Sequence, residues 1–288
     1  MEKRLGFNLI QKFYSKENIS DILQNQDKVC FVQINEKNLE RGILGYPNRN
    51  SAKAALSYLE FSSKLLKQNK VDAVVTAPIS KERLWDIGFN FPGHTEFYAS
   101  ELSGEKFVMM LGGDRLKVVL VTIHIPLKEI WNNLSSDKIK DTVRITNDEL
   151  KKSFNLKSPK IAVAGLNPHA GEGGKMGTEE EELIIPVINE LKEEGICVEG
   201  PFSPDTLYYW AYSGKYDVVV SMYHDQGLIP LKLVHFDDAV NVTLGLSKVR
   251  TSVDHGTAFN IANKFEANYK SMENAIYTAI EMVKNRNG

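Results

Sequence analysis

Three histidines follow short apolar runs: VVLVTIH ends at His124, IAVAGLNPH at His169 and VVVSMYH at His224. The gaps of 45 and 55 residues (169 − 124 and 224 − 169) are too long for a finger-type metal motif and suit residues gathered by a fold. Open α/β sheets bind ligands beyond the carboxyl ends of their strands, so imidazoles delivered there can form a three-histidine metal site with positions left for water or substrate. The competing reading is three ordinary loop or half-buried histidines.

Each histidine has neighbours that bear on this chemistry. NPHAGEGGKMG (Asn167–Gly177) is a Gly-rich loop entering the helical pattern TEEEELIIPVINELK. It lacks GxGxxG spacing, and Glu179 to Glu182 complement the helix dipole and would repel phosphate. The glycines are therefore expected to permit close backbone approach around His169. Asp225 adjoins His224 as a carboxylate supporting the imidazole, a proton acceptor or a turn-forming residue. Lys232, Asn241 and Arg250 follow His224 at offsets of 8, 17 and 26. Arg250 can hold a phosphate or carboxylate bidentately and Lys232 can add a point charge; each also reads as surface charge. GHTEF (Gly93–Phe97) supplies His94 and Thr95 in a turn opening a short helix, where Thr95 is a cap or a hydrogen-bond donor to ligand.

The elements that must position these residues alternate along the chain. Candidate strands are Val71–Ile79, Phe107–Leu111, Leu116–Ile123, Lys160–Leu166, Tyr216–Tyr223 and Ala239–Leu246. Helical patterns occupy Asp137–Phe154, Thr178–Glu194 and Met272–Arg286. A further helix places Ala52, Leu56, Leu59, Ser63 and Leu66 on one face, with Ser51 as its expected N-cap. This alternation predicts an α/β fold with a largely parallel sheet.

Composition narrows the function classes. With 288 residues and 42% hydrophobic content, the chain can bury one large core or two modest ones. A net charge of −2 offers no bulk attraction to nucleic acid or anionic membrane, so an anionic substrate needs a local cationic cluster. Cys30 and Cys197 are far apart and in no CxxC pattern, which suggests neither a disulfide framework nor a zinc–thiolate site. No secretory h-region or membrane-length apolar run is present, and a cytoplasmic protein is expected.

GHTEF, IHIPL (Ile123–Leu127), NPHAGEGG, PDT (Pro204–Thr206), YHDQGLIPLK (Tyr223–Lys232) and NVTLGLSKVRTSVDHGTAF (Asn241–Phe259) occur together and in order. From about residue 45 onward the chain resembles the 4-hydroxythreonine-4-phosphate dehydrogenase family of pyridoxal phosphate biosynthesis. The resemblance implies a two-domain, three-layer α/β/α fold like that of isocitrate and isopropylmalate dehydrogenases. Residues 1–95 plus 240–288 would form a cofactor-side domain, and residues 96–239 a domain with the metal site and dimer contacts. It implies homodimers whose active sites lie in the cleft between domains and are shared across subunits.

Under this resemblance His124 and His169 of one subunit and His224 of the other bind a divalent metal, Zn, Co or Mg. His94, Thr95, Lys232, Asn241 and Arg250 contact substrate; Asp205, Asp225 and Lys232 are the catalytic candidates. His255, Gly256 and Thr257 match the cofactor-adenine loop for NAD or NADP. The implied reaction oxidises 4-phosphooxy-L-threonine to a 3-keto acid that decarboxylates. The nearest rival is a paralogous dehydrogenase of a phosphorylated sugar acid, such as 4-phospho-D-threonate; others are an aromatic dihydrodiol dehydrogenase, a phosphate-transferring enzyme and a binding protein with a decayed site. Family members usually open with a strand and a Gly-rich loop resembling GDPAGIGPE. This chain opens MEKRLGFNLIQKFY, so the first domain is expected to lack that segment.

Overall fold

The β-branched runs become the strands of one eight-stranded sheet, and their alternating burial sets what lies on each face. The computed structural model describes residues 13–15, 30–34, 43–102, 104, 106–264 and 266–288. The expected difference at the chain's opening lies outside these residues, apart from Phe13–Ser15.

Two compact units are present. The smaller comprises Met1–Val71, Ile79–His94 and Thr257–Glu266, and the larger Asp72–Pro78, Thr95–Gly256 and Ala267–Gly288. These boundaries differ from the expected 1–95 plus 240–288 against 96–239. Most of 240–288 belongs to the larger unit, because its two strands are hydrogen-bonded into the main sheet and its helix packs on them.

In the smaller unit, β1 (Phe13–Ser15) and β2 (Phe31–Gln33) pair in parallel. Helix α1 (Arg49–Lys67) buries Ala52, Ala54, Leu59, Ser63 and Leu66, close to the predicted face. Its N-cap is Asn48, not Ser51. The Asn48 side chain accepts from the Ser51 amide at 2.8 Å while the Ser51 hydroxyl accepts from the Asn48 amide at 2.9 Å. Ser51 thus occupies the third helical position of a reciprocal capping box. Helix α2 (Lys81–Trp85) packs against α1.

In the larger unit the strands are β3 (Ala73–Thr76), β4 (Val108–Gly112), β5 (Lys117–Leu120), β6 (Ile161–Ala164), β7 (Val198–Phe202), β8 (Val218–Ser221), β9 (Val240–Leu244) and β10 (Val249–Val253), in the order β3-β10-β9-β4-β5-β8-β6-β7. The β3–β10, β5–β8, β8–β6 and β6–β7 pairs are parallel; β10–β9, β9–β4 and β4–β5 are antiparallel. The sheet is therefore mixed and not largely parallel. The reason is local: Gly113–Leu116 and Gly245–Lys248 are too short for a crossover and force hairpins, the second turning at Gly245 with φ 87°.

One face of the sheet supplies Val119, Ile161, Val163, Val218, Val220, Val240 and Val242 to a core shared with α5 (Ser136–Phe154), α6 (Ile185–Glu193) and α9 (Lys270–Asn287). The other face supplies Val118, Leu120, Ala162, Ala164 and Val219 to a core with α7 (Pro204–Tyr212) and α8 (His224–Val234). Period-two alternation along the strands produces this three-layer α/β/α arrangement. Two short helices, α3 (His94–Glu101) and α4 (Ile130–Asn133), complete the described set. No described helix is long and apolar enough to cross a membrane.

Candidate active site

Strands β5, β8 and β6 are adjacent and mutually parallel, so the segments leaving their carboxyl ends emerge along one edge of the sheet. His124, His224 and His169 follow those ends by 4, 3 and 5 residues (124 − 120, 224 − 221 and 169 − 164). The sequence pattern of apolar run then histidine thus corresponds to three neighbouring exits.

The imidazole centroids of His124 and His224 lie 5.5 Å apart. Both rings line a cavity of about 180 Å³ with Ile123, Leu127, Tyr223 and Asp225. His224 is the first residue of α8, and its Nδ1 stands 2.7 Å from Asp225 Oδ1. When Nδ1 carries the hydrogen, the carboxylate accepts it and the Nε2 lone pair is left for a metal, an arrangement common among metal-binding histidines. His169 is exposed on its own loop. Among the described residues, no group of three metal-capable donors within 4.8 Å includes these histidines.

The His169 loop owes its shape to a buried carboxylate. His169, Ala170 and Gly171 have φ of 52°, 50° and 81°, a left-handed run that L-residues seldom adopt. Glu180, 1% exposed, accepts from the amides of Leu166 and Asn167, each at 2.7 Å, and from Asn167 Nδ2 at 3.0 Å. A Cβ on Gly171 would lie 2.7 Å from Glu180 Oε2, so the backbone passes where only glycine fits. The glycines serve close approach, as the sequence indicated. The glutamates do more than complement a dipole: Glu180 occupies the backbone amides itself and opens a π-helical turn, Glu180–Ile184, leading into α6.

A polar stripe crosses the sheet on the α8 side. In register, Arg250 faces Thr243 and Ser252 faces Asn241 across β10 and β9, while Thr76 on β3 faces Ser252. Arg250 is 2% exposed and donates to Thr76, Thr243 and Thr95 at 2.9, 3.1 and 3.2 Å. No carboxylate pairs with it among the described residues, and its Nε has no hydrogen-bond partner there. Burial pushes the guanidinium down to about 10, which leaves it charged near neutrality. The Asn241 Oδ1 is likewise buried and without a partner among the described residues. A buried cation ringed by neutral hydroxyls beside an orphaned acceptor is a surface suited to an anion that also carries a donor group.

Lys232, on α8, makes an ion pair with Asp254 at 2.7 Å and donates to the Asp254 carbonyl at 2.6 Å. Burial raises the Asp254 carboxyl above the ordinary carboxylate range against the opposing pull of Lys232. Of the remaining candidates, Thr95 is buried against Arg250, whereas Asp205 is exposed at the start of α7 and accepts from the Ser203 hydroxyl. His255 and Gly256 are exposed, with His255 Nδ1 2.9 Å from the Gly256 carbonyl. His94 and Thr257 belong to the smaller unit. Sequence reasoning missed Thr76, Thr243, Glu180 and Asp254. The alternation in AVNVTLGL, with Asn241 and Thr243 polar between apolar residues, was the available signal for Thr243.

Comparison with known proteins settles the kinship. Residues 4–279 match the family model of the pyridoxal phosphate biosynthetic protein PdxA. This chain belongs to the PdxA family. A 4-hydroxythreonine-4-phosphate dehydrogenase of Desulforapulum autotrophicum is 47% identical over 237 residues, spanning 82% of this chain and 70% of that protein. A putative D-threonate 4-phosphate dehydrogenase of Oceanobacillus iheyensis is 45% identical over 81% of this chain and 70% of its own length. The crystal structure of the Klebsiella pneumoniae 4-hydroxythreonine-4-phosphate dehydrogenase superposes with a TM-score of 0.81 at 32% identity, covering 98% of this chain and 87% of that one. PdxA-family membership, the α/β fold and dehydrogenase kinship follow together.

Proposed function

We propose that this protein oxidises 4-phosphooxy-L-threonine at C3 with NAD or NADP, giving 2-amino-3-oxo-4-phosphooxybutanoate, which loses carbon dioxide to yield 3-amino-2-oxopropyl phosphate. Kinship with the 4-hydroxythreonine-4-phosphate dehydrogenases supplies the reaction. The observation that carries the substrate class is the buried Arg250, with three threonine hydroxyls and no carboxylate partner among the described residues.

The donor set, three imidazoles with His224 oriented by Asp225, fits a divalent metal. His124, His169 and His224 would hold Zn, Co or Mg. A metal so held would supply Lewis acidity toward the substrate hydroxyl and the carbonyl it becomes. A bound nicotinamide would supply the hydride acceptor for C3, and the hydroxyl proton would pass to a base of the chain. Lys232 and Asp225 are the proposed acceptors. Lys232 is held in place by the Asp254 carboxylate and backbone carbonyl. Asp205 is proposed to face the metal region. Arg250, Thr95 and His94 hold the phosphate, and Asn241 accepts from the amino or hydroxyl group. His255, Gly256 and Thr257 are the proposed cofactor contacts.

A homodimer sharing its sites is part of this reading. Ile229, Leu233 and Phe236 expose 69%, 85% and 74% of their surface along and just past α8, an apolar strip that a second copy would cover. Because α8 opens with His224, its docking would carry that residue toward the partner's site.

The test is absorbance in the NADH band with protein, NAD, divalent metal and 4-phosphooxy-L-threonine, repeated with chelator and with 4-phospho-D-threonate. Chelator-sensitive reduction of NAD by the threonine compound supports the proposal. Turnover of the threonate alone would transfer the protein to the sugar-acid branch, and absence of turnover with both would overturn the dehydrogenase reading.

A further inference from the structure

Far from the edge where the histidines emerge, the hairpin between β4 and β5 meets the end of α8. Asp114 lies in that hairpin, His235 caps α8 at its C-terminus, and Asp238 precedes β9. One donor atom from each lies within 4.8 Å of the others. Lys117, at the start of β5, and Gly112, at the end of β4, mark this as the end of β5 opposite to His124.

His235 is 4% exposed. Its Nδ1 is 3.1 Å from Asp238 Oδ1, while its Nε2 is buried and has no hydrogen-bond partner among the described residues. Asp114 Oδ1 stands 3.7 Å from Nε2, beyond hydrogen-bond reach. Nδ1 is thus engaged by Asp238, and the buried Nε2 faces the Asp114 carboxylate across a gap that no hydrogen bond spans. A cation between them resolves this. Ligands about 2.0–2.2 Å from one tetrahedral ion stand roughly 3.3–3.6 Å apart, close to the separation seen.

The ring is also seated deliberately. A Cβ on Gly113 would fall 2.3 Å from His235 Nδ1, so glycine there lets the imidazole lie against the hairpin backbone. Asp238 holding the far nitrogen is the carboxylate–histidine arrangement that fixes the tautomer of a metal ligand.

We infer that Asp114, His235 and Asp238 form a second divalent-cation site, of the Zn²⁺ or Co²⁺ class, separate from the three-histidine site. His235 and Asp114 bind directly, Asp238 orients the ring with its carboxylate in reach, and water fills the open side, where Asp114 is exposed. The ion ties the β4–β5 hairpin to the end of the helix that begins with His224, and so its role is to fix the placement of α8.

The experiment is Co²⁺ or Zn²⁺ stoichiometry by equilibrium dialysis, with the Co²⁺ absorption spectrum, on the full chain and on Asp114→Asn. Asp114 is a solvent-facing hairpin residue, 82% exposed in its side chain, so the substitution spares the core. The expected result is loss of one equivalent per chain, or at least a ~10-fold weaker class of site, in Asp114→Asn, with the same loss in His235→Gln. If parent and Asp114→Asn bind equal equivalents with equal affinity, the site holds a proton and no metal, and the inference is overturned. Because the readout is a difference, it stands apart from the three-histidine reading. A single equivalent abolished by Asp114→Asn would uphold this site while removing the other.

Discussion

His224 Nδ1 and Asp225 Oδ1 are adjacent in sequence and 2.7 Å apart, at the first turn of α8 and beside the His124 ring. The carboxylate engages Nδ1 and so leaves Nε2 as the nitrogen open to a ligand. Asp225→Asn retains shape and removes charge. Metal affinity is expected to fall about 10- to 100-fold, with thermal stability nearly unchanged. Calorimetric titration checks this; an unaltered affinity would return Asp225 to the role of a turn residue.

Glu180 is an anchor that no neutral side chain replaces fully. Glu180→Ala strands the amides of Leu166 and Asn167, which then lack their buried acceptor. The expected destabilisation is about 1–3 kcal/mol by denaturant unfolding, together with weakened metal binding through His169. Glu180→Gln should recover part of both losses. Parent-like stability in the alanine variant would show that the loop holds itself.

Arg250→Ala is expected to weaken capture of phosphorylated substrate by roughly 1.5–3 kcal/mol in kcat/KM. Thr243→Val, which removes one of the hydroxyls the guanidinium uses, should reproduce a fraction of that loss. The ratio of activity toward phosphorylated and dephosphorylated substrate reads out the assignment. If both variants lower the two activities equally, Arg250 supports the sheet and does not read phosphate.

Lys117 gives a pH dependence of defined sign. Burial lowers its ammonium below the ordinary value of 10.5, with Asp217 and Asp114 opposing. The sheet thus favours the neutral amine. The associated stability is fully present above 10.5 and is lost as pH falls through the lowered value in the folded chain. Lys117→Met keeps the length and discards the charge. Its melting temperature should exceed the parent's at neutral pH, and the gap should close as pH rises from the lowered value to 10.5. A gap independent of pH would assign the difference to packing alone.

The sequence was most readable where one period dominates. The β-branched runs at Val218–Ser221 and Ile161–Ala164 are buried throughout and could be placed from composition alone. The histidines were legible because each follows such a run. Strand direction was not legible: β9 and β10 look like any apolar strands, and only the brevity of Gly245–Lys248 makes them a hairpin. Ser51 misled because both members of a capping box are cap-forming residues, and either could open the helix. Arg250 read as possible surface charge because burial of a guanidinium depends on Thr76, Thr95 and Thr243, which arrive from other segments. Long-range satisfaction of that kind leaves no local period to detect.

The polar stripe makes the length of one turn non-negotiable. Arg250 and Ser252 point to one side of the sheet, and Val249 and Val253 lie in the alternate positions. One residue added within Gly245–Lys248 that shifted β10 by a single step would exchange those sides, carrying a guanidinium into the aliphatic core and valines onto the polar stripe. Variation by insertion is thus barred from this connection, whereas exposed stretches such as Glu193–Gly195 carry no such coupling between length and side-chain direction.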